Sequence, residues 1–131
     1  MAYTGVAVSD PVFNTCFADQ QLGYSAAAES AVTQLTSKAT AVTANTSNIQ
    51  ITMNNAALAA GATVSFTLNN NLISPRDVLI MNVAGGNATA GTYTTFVSTI
   101  TTGSAVLSLY NISGGSLSEA VKLNVAIIHG A

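Results

Sequence analysis

Apolar and polar residues alternate along most of the chain that follows residue 32. In residues 62–68 the side chains of Val64, Phe66 and Leu68 share one face, and hydroxyl-bearing residues share the other. A period of two is that of a β-strand with one buried face and one solvated face. The pattern therefore predicts an all-β fold, an antiparallel β-sandwich.

Clusters of Asn and Gly separate the alternating runs and mark turns between the strands. The predicted strands are residues 33–42, 48–53, 62–68, 77–83, 92–100, 104–111 and 120–128, with residues 3–8 as a further candidate. The short link at residues 101–103 predicts a hairpin in which Gly103 has a positive φ and Leu107 and Leu109 face the core. Residues 78–81 and 125–128 are apolar on both faces, which indicates either central strands or strands covered by a neighbouring subunit.

The first 31 residues have a different pattern and are predicted to form an N-terminal arm or a short helix. Residues 10–23 show no clean period, whereas residues 25–31 contain the strongest run of helix formers. We therefore divide the chain into an arm at residues 1–31 and a sandwich domain at residues 32–131. Ser116 and Glu119 have the spacing of a capping box, which predicts one helical turn before the last strand.

Charged residues are scarce, which excludes several classes of function. The 131 residues include three basic and five acidic side chains, against 17 Thr, 13 Ser and 12 Asn. Such a chain lacks the basic patch that binds nucleic acid. No apolar run is long enough for a membrane helix, and no basic segment at the start indicates a secretory signal. We expect neither nucleic acid nor membrane as a partner.

The residues capable of chemistry are few and widely separated. His129 is the single histidine and is expected at a frayed terminus, and Cys16 between two phenylalanines is expected to be a small hydrophobe. Arg76 and Asp77 follow a proline at a strand entry, where Asp77 either accepts backbone amides of a turn or Arg76 pairs with another subunit. No catalytic, cofactor-binding or metal site is predicted, and the chain is expected not to be an enzyme.

Sheet edges in this chain have little of the usual protection against aggregation, which consists of lysine, proline and bulges. Only Lys38 and Lys122 lie in the predicted strands, and the net charge of −2 gives weak repulsion between copies. We therefore expect the edges and the doubly apolar strands to be covered by copies of the same chain or by a larger assembly.

Residues 32–43, 50–67 and 111–120 resemble a β-sandwich module of tailed-phage virion proteins, namely head decoration or cement proteins and some tail appendages. The resemblance covers residues 32–128. It implies a jelly-roll-like sandwich, a homotrimer, the major capsid protein as partner, synthesis in the host cytoplasm and a place on the capsid surface of the virion.

Three functional interpretations follow. The first is a capsid decoration or cement protein that stabilises a phage head from outside, and a chain that starts at Met1 with a short arm suits such a small separate protein. The second is a tail-fibre or head-fibre component with a receptor-binding or carbohydrate-binding role. The third, a small enzyme or carbohydrate-binding domain, is disfavoured because no residues supply a nucleophile, a base and an orienting group.

Overall fold

The computed structural model describes residues 12–130, which form two four-stranded sheets packed face to face. The sheet orders are β1-β3-β8-β5 and β2-β4-β7-β6. This architecture confirms the predicted all-β sandwich. The strands are Glu29–Thr33 (β1), Val42–Thr43 (β2), Asn48–Thr52 (β3), Thr63–Asn69 (β4), Val78–Gly85 (β5), Tyr93–Thr101 (β6), Ser104–Asn111 (β7) and Lys122–Ile128 (β8).

Both sheets are mixed, because their outer strands β1 and β2 pair in parallel. The pairs β3–β8, β5–β8, β4–β7 and β6–β7 are antiparallel, as predicted, whereas the edge strands β1 and β2 pair in parallel with β3 and β4. The chain passes from β1 to the other sheet for β2 and returns for β3. Because each crossing reverses the direction of the chain, β1 runs in the same direction as β3, and β2 runs in the same direction as β4. The pairs at this side of the sandwich are therefore parallel.

The hairpin of β6 and β7 forms as predicted. Gly103 has a φ of 78° in the turn, and Leu107 and Leu109 are fully buried. We call the end of the sandwich that carries this turn the Gly103 end, and the opposite end, where β7 finishes, the Asn111 end. The core between the sheets is built from inward positions of the strands and is formed chiefly by Ile49, Ile51, Phe66, Leu68, Leu107, Leu109, Leu123, Val125 and Ile127.

The predicted strand at residues 33–42 is wrong. β1 ends at Thr33, and a compact loop follows in which the side chains of Gln34 and Lys38 are buried. The Gln34 amide donates hydrogen bonds to the carbonyls of Lys38 (3.0 Å) and Thr40 (2.8 Å). The loop therefore closes on a buried polar side chain, and Leu35 within it is exposed.

The two predictions of helical structure have different outcomes. Ala26–Ala28 form a 3-10 helix of three residues, and the chain then enters β1 at Glu29, where pairing with β3 outweighs the helical preference of alanine. Residues 112–121 contain no helical turn, because Leu117 instead bridges to Leu58. Residues 12–25 form neither helix nor strand. The candidate strand at 3–8 lies outside the described residues, and the domain division at residue 31 stays a prediction.

The two doubly apolar segments have different positions. β8 is a central strand, with Val125 and Ile127 fully buried. β5 is an edge strand, and Val78 and Ile80 on its outer face are each more than half exposed. β8 is therefore a central strand, which was one of the two predicted alternatives. For β5 the other alternative, that a neighbouring subunit covers the strand, stays a prediction.

Buried amide side chains fix the loops that close the sandwich, and Asn111 is the clearest case. It is fully buried, and its amide nitrogen lies 2.9, 3.2 and 2.9 Å from the carbonyl oxygens of Leu58, Ala59 and Gly115. Its side-chain oxygen accepts hydrogen bonds from the amide (2.9 Å) and hydroxyl (2.7 Å) of Ser113. One neutral side chain thus holds two loops together at the Asn111 end.

Replacing Asn111 with alanine is expected to lower the free energy of unfolding by about 3 kcal/mol, because several buried carbonyl and amide groups lose their partner. Asn55→Ala is the matched control: Asn55 is exposed, so its replacement should cost less than about 0.5 kcal/mol. Urea unfolding followed by circular dichroism measures both variants. Equal losses for the two variants would contradict the role assigned to Asn111.

Candidate functional site

Three side chains meet at the Gly103 end: Ser47, Asp77 and His129. Ser47 precedes β3, Asp77 precedes β5 and His129 follows β8, which lies between those two strands. Each is two residues from a buried inward residue of its strand, and alternation therefore aims all three into the mouth of the sandwich. Strand order and register bring together residues that are far apart in sequence.

These side chains form a hydrogen-bonded row, which we call the Ser-His-Asp row. The hydroxyl oxygen of Ser47 lies 3.1 Å from Nε2 of His129, and Nδ1 of His129 lies 3.2 Å from Oδ2 of Asp77. The side chain of Asp77 is fully buried, whereas that of His129 is 43% exposed. Ser47 is 9% exposed. The imidazole in the middle of the row is therefore its most exposed member.

The Asp77 carboxylate is held in its ionised form. The backbone amide of Ser74 (2.9 Å), the backbone amide of Gly130 (2.8 Å) and the hydroxyl of Ser74 (2.8 Å) all donate to it. The Ser74 amide has the largest effect, and together with the other donors and His129 it lowers the pKa of Asp77 to about 2. Burial of the carboxylate acts in the opposite direction. Asp77 is therefore charged at neutral pH, as a hydrogen-bond acceptor for a turn and for the imidazole.

The charge on Asp77 sets the proton positions along the row. An ionised carboxylate only accepts hydrogen bonds, so Nδ1 of His129 must carry the proton that faces it. In the neutral imidazole Nε2 then has the lone pair, and the hydroxyl of Ser47 donates to it. This is the arrangement of a nucleophile, a general base and an orienting carboxylate.

The loop that carries Ser47 is fixed on both sides. The Asn70 side-chain amide, which is buried, donates to the carbonyl of Thr46 (2.7 Å), and the Asn71 backbone amide donates to the side-chain oxygen of Asn45 (2.9 Å). The amide of Ile127 in β8 donates to the carbonyl of Ser47 itself (2.9 Å). The hydroxyl therefore starts from a rigid backbone position.

His129 is fixed as well, and the frayed terminus that its position near the end of the chain predicts is not observed. Gly130 donates its amide to Asp77, and its Cα packs so closely on Arg76 that a Cβ there would lie 2.3 Å from the Arg76 carbonyl oxygen. Only glycine fits this approach. The end of the described chain is consequently clamped against the loop between β4 and β5.

A second feature of the molecule is exposed apolar surface. Val78 and Ile80 of β5 and Ile128 of β8 lie on the outer face of their sheet, with Val78 opposite Ile128 in register, and each is between 53% and 56% exposed. We call these three residues the β5–β8 strip. The segment before β1 carries four large apolar side chains that are 66% to 94% exposed: Val12, Phe13, Phe17 and Leu22.

The buried charges at the Asn111 end serve the fold. The Lys38 ammonium donates to the backbone carbonyls of Asn54 and Glu119, and burial lowers its pKa, although the Glu119 carboxylate acts in the opposite direction. The Ala88 amide donates to Glu119 (2.7 Å) and is the main reason that its pKa is lowered. Burial first, and the nearby Glu119 second, raise the pKa of Tyr93. The Lys38 ammonium is therefore held by two backbone carbonyls at the Asn111 end.

The outer face of the β1 sheet has an open groove of about 490 Å³. Its walls present amides and a carboxylate, from Asn48, Gln50, Asn124 and Glu29. The Gln50 amide donates to the side-chain oxygen of Asn124 (3.0 Å), which fixes the direction of both amides. The groove therefore offers amide donors and acceptors together with one carboxylate.

Residues 12–130 contain neither a cluster of metal ligands nor a helix long enough to span a membrane. No group of three His, Cys, Asp or Glu side chains is arranged to hold a metal ion. The helical segment there is three residues long, so no helix of the described part could cross a bilayer. Cys16 is exposed and unpaired by any disulfide.

The structure confirms one prediction about these residues and corrects another. Asp77 accepts a hydrogen bond from the Ser74 amide, as predicted for a turn. An ion pair between Arg76 and another subunit stays a prediction. His129 is hydrogen-bonded on both ring nitrogens and is not an imidazole without a partner. Ser47 was not singled out, because it is one of 13 serines and nothing in its neighbourhood marks it.

Comparison of the chain with protein-family models, with curated proteins and with solved structures finds no match.

The lowered pKa of Asp77 predicts a specific pH dependence of stability. A carboxyl group whose pKa falls from 3.8 to about 2 on folding stabilises the fold above pH 3.8, and this contribution is lost as the pH falls towards 2. Asp77→Asn should therefore be less stable than the wild type at neutral pH, and the difference should narrow between pH 4 and pH 2.

Urea unfolding at several pH values measures this difference. Asp19→Asn is the control, because Asp19 is exposed in the segment before β1, and its replacement should leave the pH profile of the wild type unchanged. A difference between wild type and Asp77→Asn that stays constant down to pH 2 would contradict the ionised, hydrogen-bonded state of Asp77.

Proposed function

We propose that this chain is a structural virion protein of the capsid decoration type, which binds the outside of a phage head as a homotrimer and stabilises it. The single observation that carries the proposal is the set of large apolar side chains exposed in the segment before β1. A soluble protein rarely leaves such residues in water unless a partner covers them. The resemblance to virion sandwich modules supports the same reading.

The arm has the length and chemistry to reach a neighbour. The described part of the arm that precedes the 3-10 helix, residues 12–25, spans up to about 45 Å when extended. The side chains of Val12, Phe13 and Phe17 each remain at least 66% exposed. The arm therefore has its apolar surface available for another molecule.

The β5–β8 strip provides a matching surface on a second copy. It lies near the Gly103 end, where the arm joins β1, and it borders the free edge of β5. We infer that the arm of one copy covers the strip of the next around a trimer. Contacts of this kind add because each copy gives one arm and receives one, and the assembled trimer presents several weak contacts to the major capsid protein at once.

Truncation to residues 24–131 is expected to leave the sandwich folded and to convert the trimer into a monomer. The free energy of unfolding should change by less than about 0.5 kcal/mol, because the removed residues that are described form no strand and cover no core. Size-exclusion chromatography with light scattering measures the assembly, and circular dichroism measures the fold.

Two variants of the full chain refine this experiment. Phe13→Ser combined with Phe17→Ser should reproduce the loss of assembly, because it removes only the apolar side chains of the arm. Leu35→Ser is the matched control: Leu35 is equally exposed but lies in the loop after β1, at the Asn111 end, and its replacement should leave the trimer intact. A full chain that remains monomeric, or a truncated chain that remains trimeric, would refute arm exchange.

The amide-lined groove favours a second candidate function, receptor or carbohydrate binding as a tail-fibre or head-fibre component. Neutral donors and acceptors suit hydroxyl-rich ligands, and Gln50 and Asn124 are already oriented by their mutual hydrogen bond. Electron microscopy of purified particles with an antibody against the sandwich distinguishes the two functions. Label on heads supports decoration, whereas label on fibres, with glycan binding lost in Gln50→Ala, supports the second.

A further inference from the structure

We infer that Ser47 is a nucleophile activated by His129 and Asp77, and that the mouth of the sandwich at the Gly103 end hydrolyses small uncharged carboxylic esters. This activity goes beyond the proposed structural role and departs from the sequence-based expectation of no enzyme. The inference stands on the geometry of the Ser-His-Asp row.

The two hydrogen bonds of the row have the lengths and the order that acyl transfer requires. The hydroxyl oxygen of Ser47, the nucleophile, lies 3.1 Å from Nε2 of His129, the base. Nδ1 of His129 lies 3.2 Å from the orienting carboxylate of Asp77. The buried carboxylate fixes the tautomer of the imidazole, so that Nε2 accepts the hydroxyl proton of Ser47. A serine that is hydrogen-bonded only to other hydroxyls, such as Ser108 with Ser65 and Ser98, lacks this base.

The reaction balances without any group from outside except water. Ser47 Oγ attacks the ester carbonyl carbon, and its proton passes to Nε2 of His129. The bond from carbon to the alcohol oxygen breaks, and the alcohol leaves with that proton. Water then attacks the acyl-serine and gives a proton to Nε2, after which Ser47 recovers the proton as the carboxylic acid departs.

The surroundings of the row define the substrate class. Ser47 is 9% exposed and the imidazole beside it is 43% exposed, so we expect a substrate to reach the hydroxyl from the side of His129 and its acyl group to be small. Asp77 is buried and fully engaged by four donors, so it attracts no cationic substrate to the mouth. Substrates without a charge and with a short acyl chain fit this site.

The test uses the full chain, a fluorophosphonate probe and p-nitrophenyl acetate. We expect one covalent adduct, located on Ser47 by peptide mass spectrometry, and ester hydrolysis that falls on the order of 100-fold in Ser47→Ala and in His129→Gln. Asp77 acts as a positioning residue, so Asp77→Asn should lower the rate and leave the ester KM unchanged. Thermal unfolding curves establish that each variant is folded under the assay conditions.

Ser98→Ala is the matched control, because Ser98 is exposed and pairs with a hydroxyl rather than with an imidazole. Its adduct yield and hydrolysis rate should equal those of the wild type. An adduct on Ser98 or on several serines would show that exposure, and not activation, governs the reaction, and would overturn the inference. The absence of an adduct on Ser47, or an adduct that forms equally in His129→Gln, would overturn it as well.

Discussion

Hydrogen bonds from buried neutral side chains to the backbone of loops are the interaction on which this sandwich depends. A chain with eight charged residues has few ion pairs to offer, and amides replace them. Asn111 joins two loops at one end, Asn70 holds the Ser47 loop at the other, and Gln34 closes the connection between the sheets. Because an amide both donates and accepts, each can bind two backbone segments at once, and removal of one leaves buried groups without partners.

The Ser-His-Asp row follows from the same architecture. β8 lies between β3 and β5 and runs antiparallel to both, so its last residues meet the first residues of its two neighbours. Alternation then aims Ser47, Asp77 and His129 to the same side. The geometry needs no long loops, and the rigidity of the strands passes directly to the three side chains. The Ser-His-Asp row therefore lies at one end of the sandwich, away from the outer faces of the two sheets.

The sequence predicts the parts of this fold in which local pattern decides the outcome. The β6–β7 hairpin and its buried Leu107 and Leu109 follow from a short link and a period of two. The loop after β1 does not follow from local pattern, because distant residues bury its polar side chains. Gln34 contacts Asn54, and Lys38 contacts Glu119, which is 81 residues away. The Ser-His-Asp row joins residues separated by 82 and 52 positions, and only the strand order brings them together.

The two ends of the sandwich carry different segments of the chain. The segment that leads into β1 and the clamped residues after β8 share the Gly103 end, and the hydroxyl of Tyr24 donates to the carbonyl of Ile127 between them. The loop between β7 and β8 lies at the other pole, and Gly114 in this loop borders open space. A fluorescent label attached through Gly114→Cys would therefore project away from the arm and from Ser47, and it would leave the length of the loop that Asn111 holds unchanged.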